Sequence, residues 1–279
     1  MIVARQRLID LSGLAEIHSL WIGERLSWIE LVSIHSWLEH GHRVTLWCFD
    51  PIEGVPNGVS IADAATILPK TSIIRHRQTQ SVSLFSNRFR YHLLKRMPAT
   101  WMDSDMVLLR PLNDASPYLF GWEMATRIGT AVLRLPQESA VLDDLNKFTD
   151  ARVAVPPWWP LKGRLKQHVK GLIGRHRRAE YMDWGTFGPK ALTDFLSRRD
   201  LVGQALPVET FYPISWTDVS LFFAMPDAVS PRLTAKTIGV HLWSASIVTG
   251  VDGQKAWGTT LPPANSWLGA ICKRYGIAA

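Results

Sequence analysis

Asp103-Ser104-Asp105 sets two carboxylates one residue apart in a chain of 279 residues. At a strand end both can reach a hard divalent cation, which prefers oxygen ligands and bridges phosphate oxygens. Such a cation would neutralise the charge that builds on a departing nucleotide diphosphate. The spacing by itself is weak, because a chain this long holds about one D-x-D by chance. A solvated turn accounts for it without any chemistry. His241 follows the apolar run 237–240 and offers an imidazole to the same cation, nitrogen ligation suiting manganese better than calcium. A lone histidine at a strand end is also commonly structural. Asp183, just before Trp184-Gly185, is a lone acid for which a turn or helix cap is the plain reading.

Hydrophobic periodicity predicts the elements that must position these residues. Residues 17–22 read as a strand ended by Gly23. Ser27 caps a helix to about His40, with Ile29, Val32 and Trp37 on its apolar side and Gly41 stopping it. Residues 43–49 form a second strand closed by Asp50-Pro51. The stretch 61–68 reads as a short helix, 72–75 as a short strand, and 83–97 as a strong helix ended by Pro98. A strand over 100–102 runs straight into Asp103, and 106–109 continues apolar. Further strands are expected at 129–135, 219–224 and 237–243, with helices at 138–148 and from Gly188-Pro189 to about Arg199. This rhythm predicts an α/β domain over 1–279 with a mostly parallel sheet and helices on both faces. Ligands bind such sheets beyond the carboxyl ends of the strands, where Asp103 and Asp105 fall.

Composition bounds the rest. Hydrophobic residues make up 47% and charged residues 20%, which suits a globular chain and excludes a disordered one. Cys48 lies inside an apolar run far from Cys272, so a buried free thiol there, no disulfide, and a reducing compartment are expected. Asp10 interrupts the amino-terminal stretch, so a cleaved leader is not expected. No run approaches the ~18 apolar residues that a membrane span needs. The net charge of +7 points to an anionic partner, whether nucleotide diphosphate, anionic lipid or nucleic acid. Zinc spacings, RNP-like motifs and helix-turn-helix signatures are absent from the sequence, so nucleic acid is not expected. An aspartate-based phosphotransferase is a rival reading of Asp103, but Met106-Val107 fits its loop poorly.

The span from Ser86 to Leu112 reads SNRFRYHLLKRMPATWMDSDMVLLRPL. It resembles the stretch S-D-x-x-R-Y-x-x-L…G-G-x-Y-x-D-x-D-x-x-x-x-x-P of the glycosyltransferases with a DXD sugar-binding region. That family includes α-1,6-mannosyltransferases, α-1,4-galactosyltransferases and bacterial capsule or lipopolysaccharide transferases, with the clostridial glucosylating toxins more distant. The matching positions are Ser86, Arg90, Tyr91, Leu94, Trp101, Asp103, Asp105 and Pro111. Ile17-His18-Ser19-Leu20-Trp21-Ile22-Gly23 is similar to the family's I-H-x-x-W-x-G strand. Gly188-Pro189-Lys190-Ala191-Leu192-Thr193 is similar to its G-P-x-x-L-T segment, and His241-Leu242-Trp243 to its H-x-W element. The likeness runs over roughly residues 15 to 245 in the right order.

The resemblance implies a GT-A fold that binds a nucleotide sugar with Mn2+ or Mg2+ held by Asp103, Asp105 and His241. It places Leu20, Trp21, Ser86, Asn87, Arg90 and Ser104 at the donor, with Trp21 stacking on the base and Arg90 facing diphosphate or sugar. Asp103, Asp105 and Arg90 are then the catalytic set, and Asp183, Trp184 and Gly188 lie toward the acceptor. The implied reaction moves a hexose with retention, by front-face substitution, to a glycan or lipid-linked acceptor. UDP-hexose is the favoured donor and GDP-mannose the alternative. The implied location is cytoplasmic, at the inner membrane face. Two departures stand out: Asn87 replaces the family's Asp, and Pro98-Ala99 replaces its Gly-Gly turn. They keep a non-catalytic, glycan-binding relative among the alternatives.

Residues 151–180 change character. From Ala151 to Arg178 there are eight Lys or Arg and no acid. Leu161, Leu165, Val169, Leu172 and Ile173 recur at helical spacing among Lys162, Arg164, Lys166 and Lys170, after Trp158 and Trp159. An apolar stripe with cationic flanks suits an anionic membrane surface. A lid over the donor site or an ordinary packed helix are the plainer readings.

Overall fold

The computed structural model describes residues 13–113, 115–251 and 256–277, so the amino-terminal stretch read as lacking a leader falls outside it except for Gly13. Its strands are β1 Ile17–Trp21, β2 Val44–Cys48, β3 Val59–Asp63, β4 Thr100–Met102, β5 Met106–Leu108, β6 Trp122–Met124, β7 Arg127–Ile128, β8 Val132–Leu133 and β9 Gly239–His241. The main sheet has the order β3-β2-β1-β4-β8. β3, β2, β1 and β4 are parallel and β8 closes one edge antiparallel. Its principal helices are α1 Trp28–Glu39, α2 Ser83–Arg96, α3 Ala140–Asp150, α4 Leu161–Leu172 and α5 Pro189–Arg198.

Strand alternation sorts side chains between two layers. Ile17, Val44, Leu46, Cys48 and Met102 pack with Ile34 and Trp37 of α1. Leu20, Trp47 and Trp101 pack with Phe85, Phe89 and Leu93 of α2, backed by α3 and α5. Helices therefore cover both faces, as expected, and the mixed α/β class with a mostly parallel sheet is observed.

Local chemistry fixes the helix ends. The Ser27 hydroxyl accepts from the Ile29 N–H at 3.2 Å, and the Glu30 carboxylate accepts from the Ser27 N–H at 2.7 Å, a capping box. Gly41 (φ 83°) takes the left-handed turn that ends α1. α1 then clamps the strand that follows the two acids. Trp37 Nε1 donates to the Met106 carbonyl at 2.6 Å, and Ser36 Oγ accepts from the Leu108 N–H at 2.9 Å.

Several expected elements differ. Residues 59–63 form β3, paired from Val44↔Val59 to Cys48↔Asp63, and only 64–66 coil into a 3-10 turn. The free edge of β2 offers a ladder of backbone partners that the helix-like spacing of 61–68 does not reveal. A 3-10 turn over Lys70–Ser72 replaces the strand expected at 72–75. The stretch 219–224 is likewise a 3-10 helix, Val219–Phe223, burying Val219, Phe222 and Phe223 at helical spacing. A short apolar run does not distinguish the two periods. The strand expected over 129–135 shrinks to β8, because the short β4 offers it partners only at Trp101 and Met102. Cys48 is free and buried, as expected, and so is Cys272.

Candidate functional site

β4, an interior strand between β1 and β8, delivers Asp103 at its carboxyl end. Pairing of Met102 with Val132 sets the register, and the Asp103 N–H donates to the Ala131 carbonyl at 2.7 Å. Trp101 Nε1 donates to Asp103 Oδ1 at 2.7 Å. Arg90 reaches the same oxygen from α2, Nη2 to Oδ1 2.9 Å. Its guanidinium lies 4.7 Å over the Trp101 ring and also donates to the Thr130 carbonyl and, at 3.2 Å, to Ser86 Oγ. Arg90 is 3% exposed, so these partners replace water around a buried charge. The Trp101 hydrogen bond and the Arg90 ion pair both meet Oδ1, and no hydrogen bond reaches Asp103 Oδ2 among the described residues.

Asp105 and His241 meet because β5 and β9 pair antiparallel with Met106 opposite His241. The Leu242 N–H donates to the Asp105 carbonyl at 2.8 Å, tightening that register. His241 Nε2 stands 3.1 Å from Asp105 Oδ1, and the Ser244 N–H donates to Oδ2 at 2.8 Å. Trp243, between them, adopts the left-handed conformation (φ 58°), uncommon for a bulky residue and found where a site over-determines the backbone. Its Nε1 donates to the Ile214 carbonyl at 2.9 Å, which anchors the turn that aims Ser244.

Burial pushes the Asp105 carboxyl upward, but the His241 charge, the His241 hydrogen bond and the Ser244 amide outweigh it and hold the acid well below its usual range. Burial lowers His241, yet Asp105, with Asp103 and Glu123 behind it, raises it above its ordinary value. His241 Nδ1 is buried and has no hydrogen-bond partner among the described residues. One ligand atom from each of Asp103, Asp105 and His241 lies within 4.8 Å of the others. Two carboxylates and an imidazole, one nitrogen unsatisfied, could hold a divalent cation.

Two further residues surround this group. The Glu123 side chain is 5% exposed and ion-paired with Arg127. Burial pushes its carboxyl up, Arg127 offsets only part of that, and the His241 and Asp103 charges reach it. Tyr212 sets its ring 5.6 Å from that of His241 and accepts the Ala131 N–H at 3.2 Å. Burial pushes its phenol well above the ordinary range. Neither stands in a motif. The sequence marked Glu123 only as an acid in a stretch with no predicted element, and Tyr212 only as one of five tyrosines.

The other expected site residues distribute unevenly. Ser86 braces Arg90, as above, and Ser104 is half-buried between the two acids. Leu20 packs its side chain into the α2 layer. Trp21 is half-buried, with its Nε1 unpartnered among the described residues. Asn87 Nδ2 donates to the Ser83 carbonyl at 2.8 Å, and a Cβ at Gly188 would come within 2.8 Å of that nitrogen. Asn87, expected at the donor, and Gly188, expected toward the acceptor, therefore touch, and Tyr91 Oη donating to the Phe187 carbonyl at 2.8 Å locks α2 to that turn. Asp183, ion-paired with Arg177 at 2.9 Å, and Trp184, 51% exposed, line a cleft of about 470 Å³ with His76, Arg77 and Tyr181. That cleft includes none of Asp103, Asp105 and His241.

Fold and site together define an α/β protein with a candidate metal centre where its strands end. Residues 180–250 match the family model described as the alpha 1,4-glycosyltransferase conserved region. That span carries Asp183, Trp184, Gly188, α5 and His241. No curated protein matches the chain. Among solved structures it is similar to the PaToxG glycosyltransferase at 12% identity and TM-score 0.42, covering 67% of this chain and 69% of that one. It is also similar to the WbbM bifunctional glycosyltransferase at 13% identity and TM-score 0.34, covering 84% of this chain and 46% of that one. The chain thus spans less than half of the WbbM chain's length. Its resemblance is to glycosyltransferases, as the motifs around Asp103 and Asp105 implied.

Proposed function

We propose that the protein is a divalent-metal-dependent glycosyltransferase moving a hexose from a nucleotide sugar, UDP-hexose before GDP-mannose, to a glycan or glycolipid acceptor with retention. The observation that supports it most is the convergence of Asp103, Asp105 and His241 within 4.8 Å, with one His241 nitrogen unsatisfied. A bound Mn2+ or Mg2+ would supply charge neutralisation at the leaving diphosphate. The chain's own residues do the positioning. Trp101 and Arg90 fix Asp103, and the Trp243 turn fixes Asp105, so the acids meet the nucleotide without reorganising. In this reading Arg90 and Ser86 are positioning residues, Trp21 and Asn87 face the donor, and the acceptor enters past Gly188. Its hydroxyl proton passes to the donor phosphate on the same face, with no enzyme carboxylate as nucleophile.

The test is calorimetric titration of UDP and GDP, each with and without Mn2+, into the protein and its Asp103→Ala/Asp105→Ala variant. The reading expects nucleotide binding that needs the ion and disappears in the variant. Binding that ignores both changes would refute it. A trapped covalent glycosyl-enzyme would reject the front-face route alone.

A further inference from the structure

We propose that α4 and the turn after it dock on an anionic lipid bilayer. The helix is held to the body by one face only. Gln167 donates to the Ala154 and Arg177 carbonyls and accepts from the Arg177 N–H at 3.0 Å. Gly171, one turn on, packs so closely that a Cβ would come within 2.9 Å of Val153. On a 3.6-residue helix, Leu161, Leu165, Val169 and Leu172 fall on the opposite side. They are 77%, 62%, 52% and 86% exposed, and Ile173 is 64% exposed. Half of the exposed large hydrophobic residues among the described residues thus gather on α4 and the residue after it, whereas scattered ones would need no explanation.

Charge selects the occupant. Between 151 and 178 every charged residue is cationic. Arg177 and Arg178 are ion-paired to Asp183 and Glu180, but Lys162, Lys166, Lys170 and Arg175 have no ion pair among the described residues. An apolar stripe with uncompensated lysines beside it matches acyl chains beneath anionic headgroups, each lysine contributing roughly fivefold in affinity. A second copy of the chain would bring the same cations face to face. Trp158, expected as an interfacial anchor, is instead half-buried with its ring 5.7 Å from Phe148, so the docking face begins at α4. Among the described residues no helix is long and apolar enough to cross a membrane, so the contact is superficial.

The inference stands apart from sugar transfer, since it needs no catalytic residue. Full-length protein is floated with vesicles of phosphatidylcholine alone or mixed with phosphatidylglycerol, at low and high salt. Binding to the anionic vesicles is expected, weakened by salt. It should fall about tenfold or more in Leu165→Glu/Val169→Glu and, separately, in Lys162→Glu/Lys166→Glu/Lys170→Glu. All five side chains are exposed, and an unchanged melting temperature verifies that the variants fold. No flotation at low salt, equal binding to neutral vesicles, salt-sensitive binding to duplex RNA without vesicle binding, or a dimer dispersed by the Glu substitutions would each overturn the proposal.

Discussion

Asp103 depends on a neighbour that carries the opposite charge and is almost wholly out of water. Arg90 spends its guanidinium on Asp103, Ser86, the Thr130 carbonyl and the face of Trp101, so no smaller cation can replace the set. Arg90→Met would strand Asp103 and the Thr130 carbonyl, and a loss of about 3–5 kcal/mol in urea unfolding is expected. Arg90→Lys keeps the charge but not the fork, and should fall between that variant and wild type. If Arg90→Met melted like wild type, Asp103 would have to be held by Trp101 alone. His241 makes a different case, because its Nδ1 is buried without a partner and its Nε2 already faces Asp105. His241→Ala should weaken Mn2+ binding, followed by paramagnetic resonance of free Mn2+, by at least the roughly 10–100-fold that outer-shell partners cost. Unchanged Mn2+ affinity would leave the ion to the carboxylates and return His241 to a structural role.

Elements, more than motifs, decide which of these residues meet. The β5–β9 pairing carries His241 to Asp105 across 136 positions of sequence. Close packing behind it is tight enough to test. A Cβ at Gly129 would lie 2.1 Å from Tyr212 Oη, and Tyr212 in turn packs edgewise on His241. Gly129→Ala should therefore cost about 1–3 kcal/mol by overpacking, measured by urea unfolding, whereas Gly203→Ala, which meets nothing within 4 Å, should not. α1, α2, β1, β2 and β4 were legible in the sequence because capping residues, Gly41, Pro98 and clean periodicity all agree there. β3 was not, since its pairing with β2 is a long-range choice that local spacing cannot encode. Val219–Phe223 was misread because a short apolar run carries both periods. The same limit applied at the site. Asp103, Asp105, Arg90 and His241 were visible through motif spacing, while Glu123 and Tyr212 became neighbours only through packing of the β6–β7 hairpin and the turn before Pro213.

The whole molecule is also stitched at the end of the sheet opposite the site, by a histidine that must stay neutral. His42 Nδ1 lies 2.9 Å from the Ala15 carbonyl, and its Nε2 accepts the Leu112 N–H at 3.1 Å, so Nδ1 carries the proton. One imidazole thereby joins the entry to β1, the entry to β2 and the exit from β5. A second proton would have to sit on Nε2, facing an amide that already donates. Burial accordingly lowers the His42 pKa from its ordinary 6.5; the Ala15 hydrogen bond offsets part of this, and nearby His40 adds to it. Burial lowers His18, His35 and His40 in the same direction. For a base whose folded pKa is depressed, the unfolded chain binds more protons. Its stability contribution is complete above about 6.5 and drains away as pH falls from there through the folded value. His241, raised, works in the opposite sense, but the four lowered histidines outnumber it, so the urea midpoint should drop between about pH 7.5 and about pH 5.5, before the ordinary carboxylate range is reached. His42→Gln keeps a polar group without the titration. It should be less stable than wild type at neutral pH and show a shallower drop, because the other three histidines still titrate. A variant as steep as wild type would shift the acid sensitivity onto those three and away from the junction at His42.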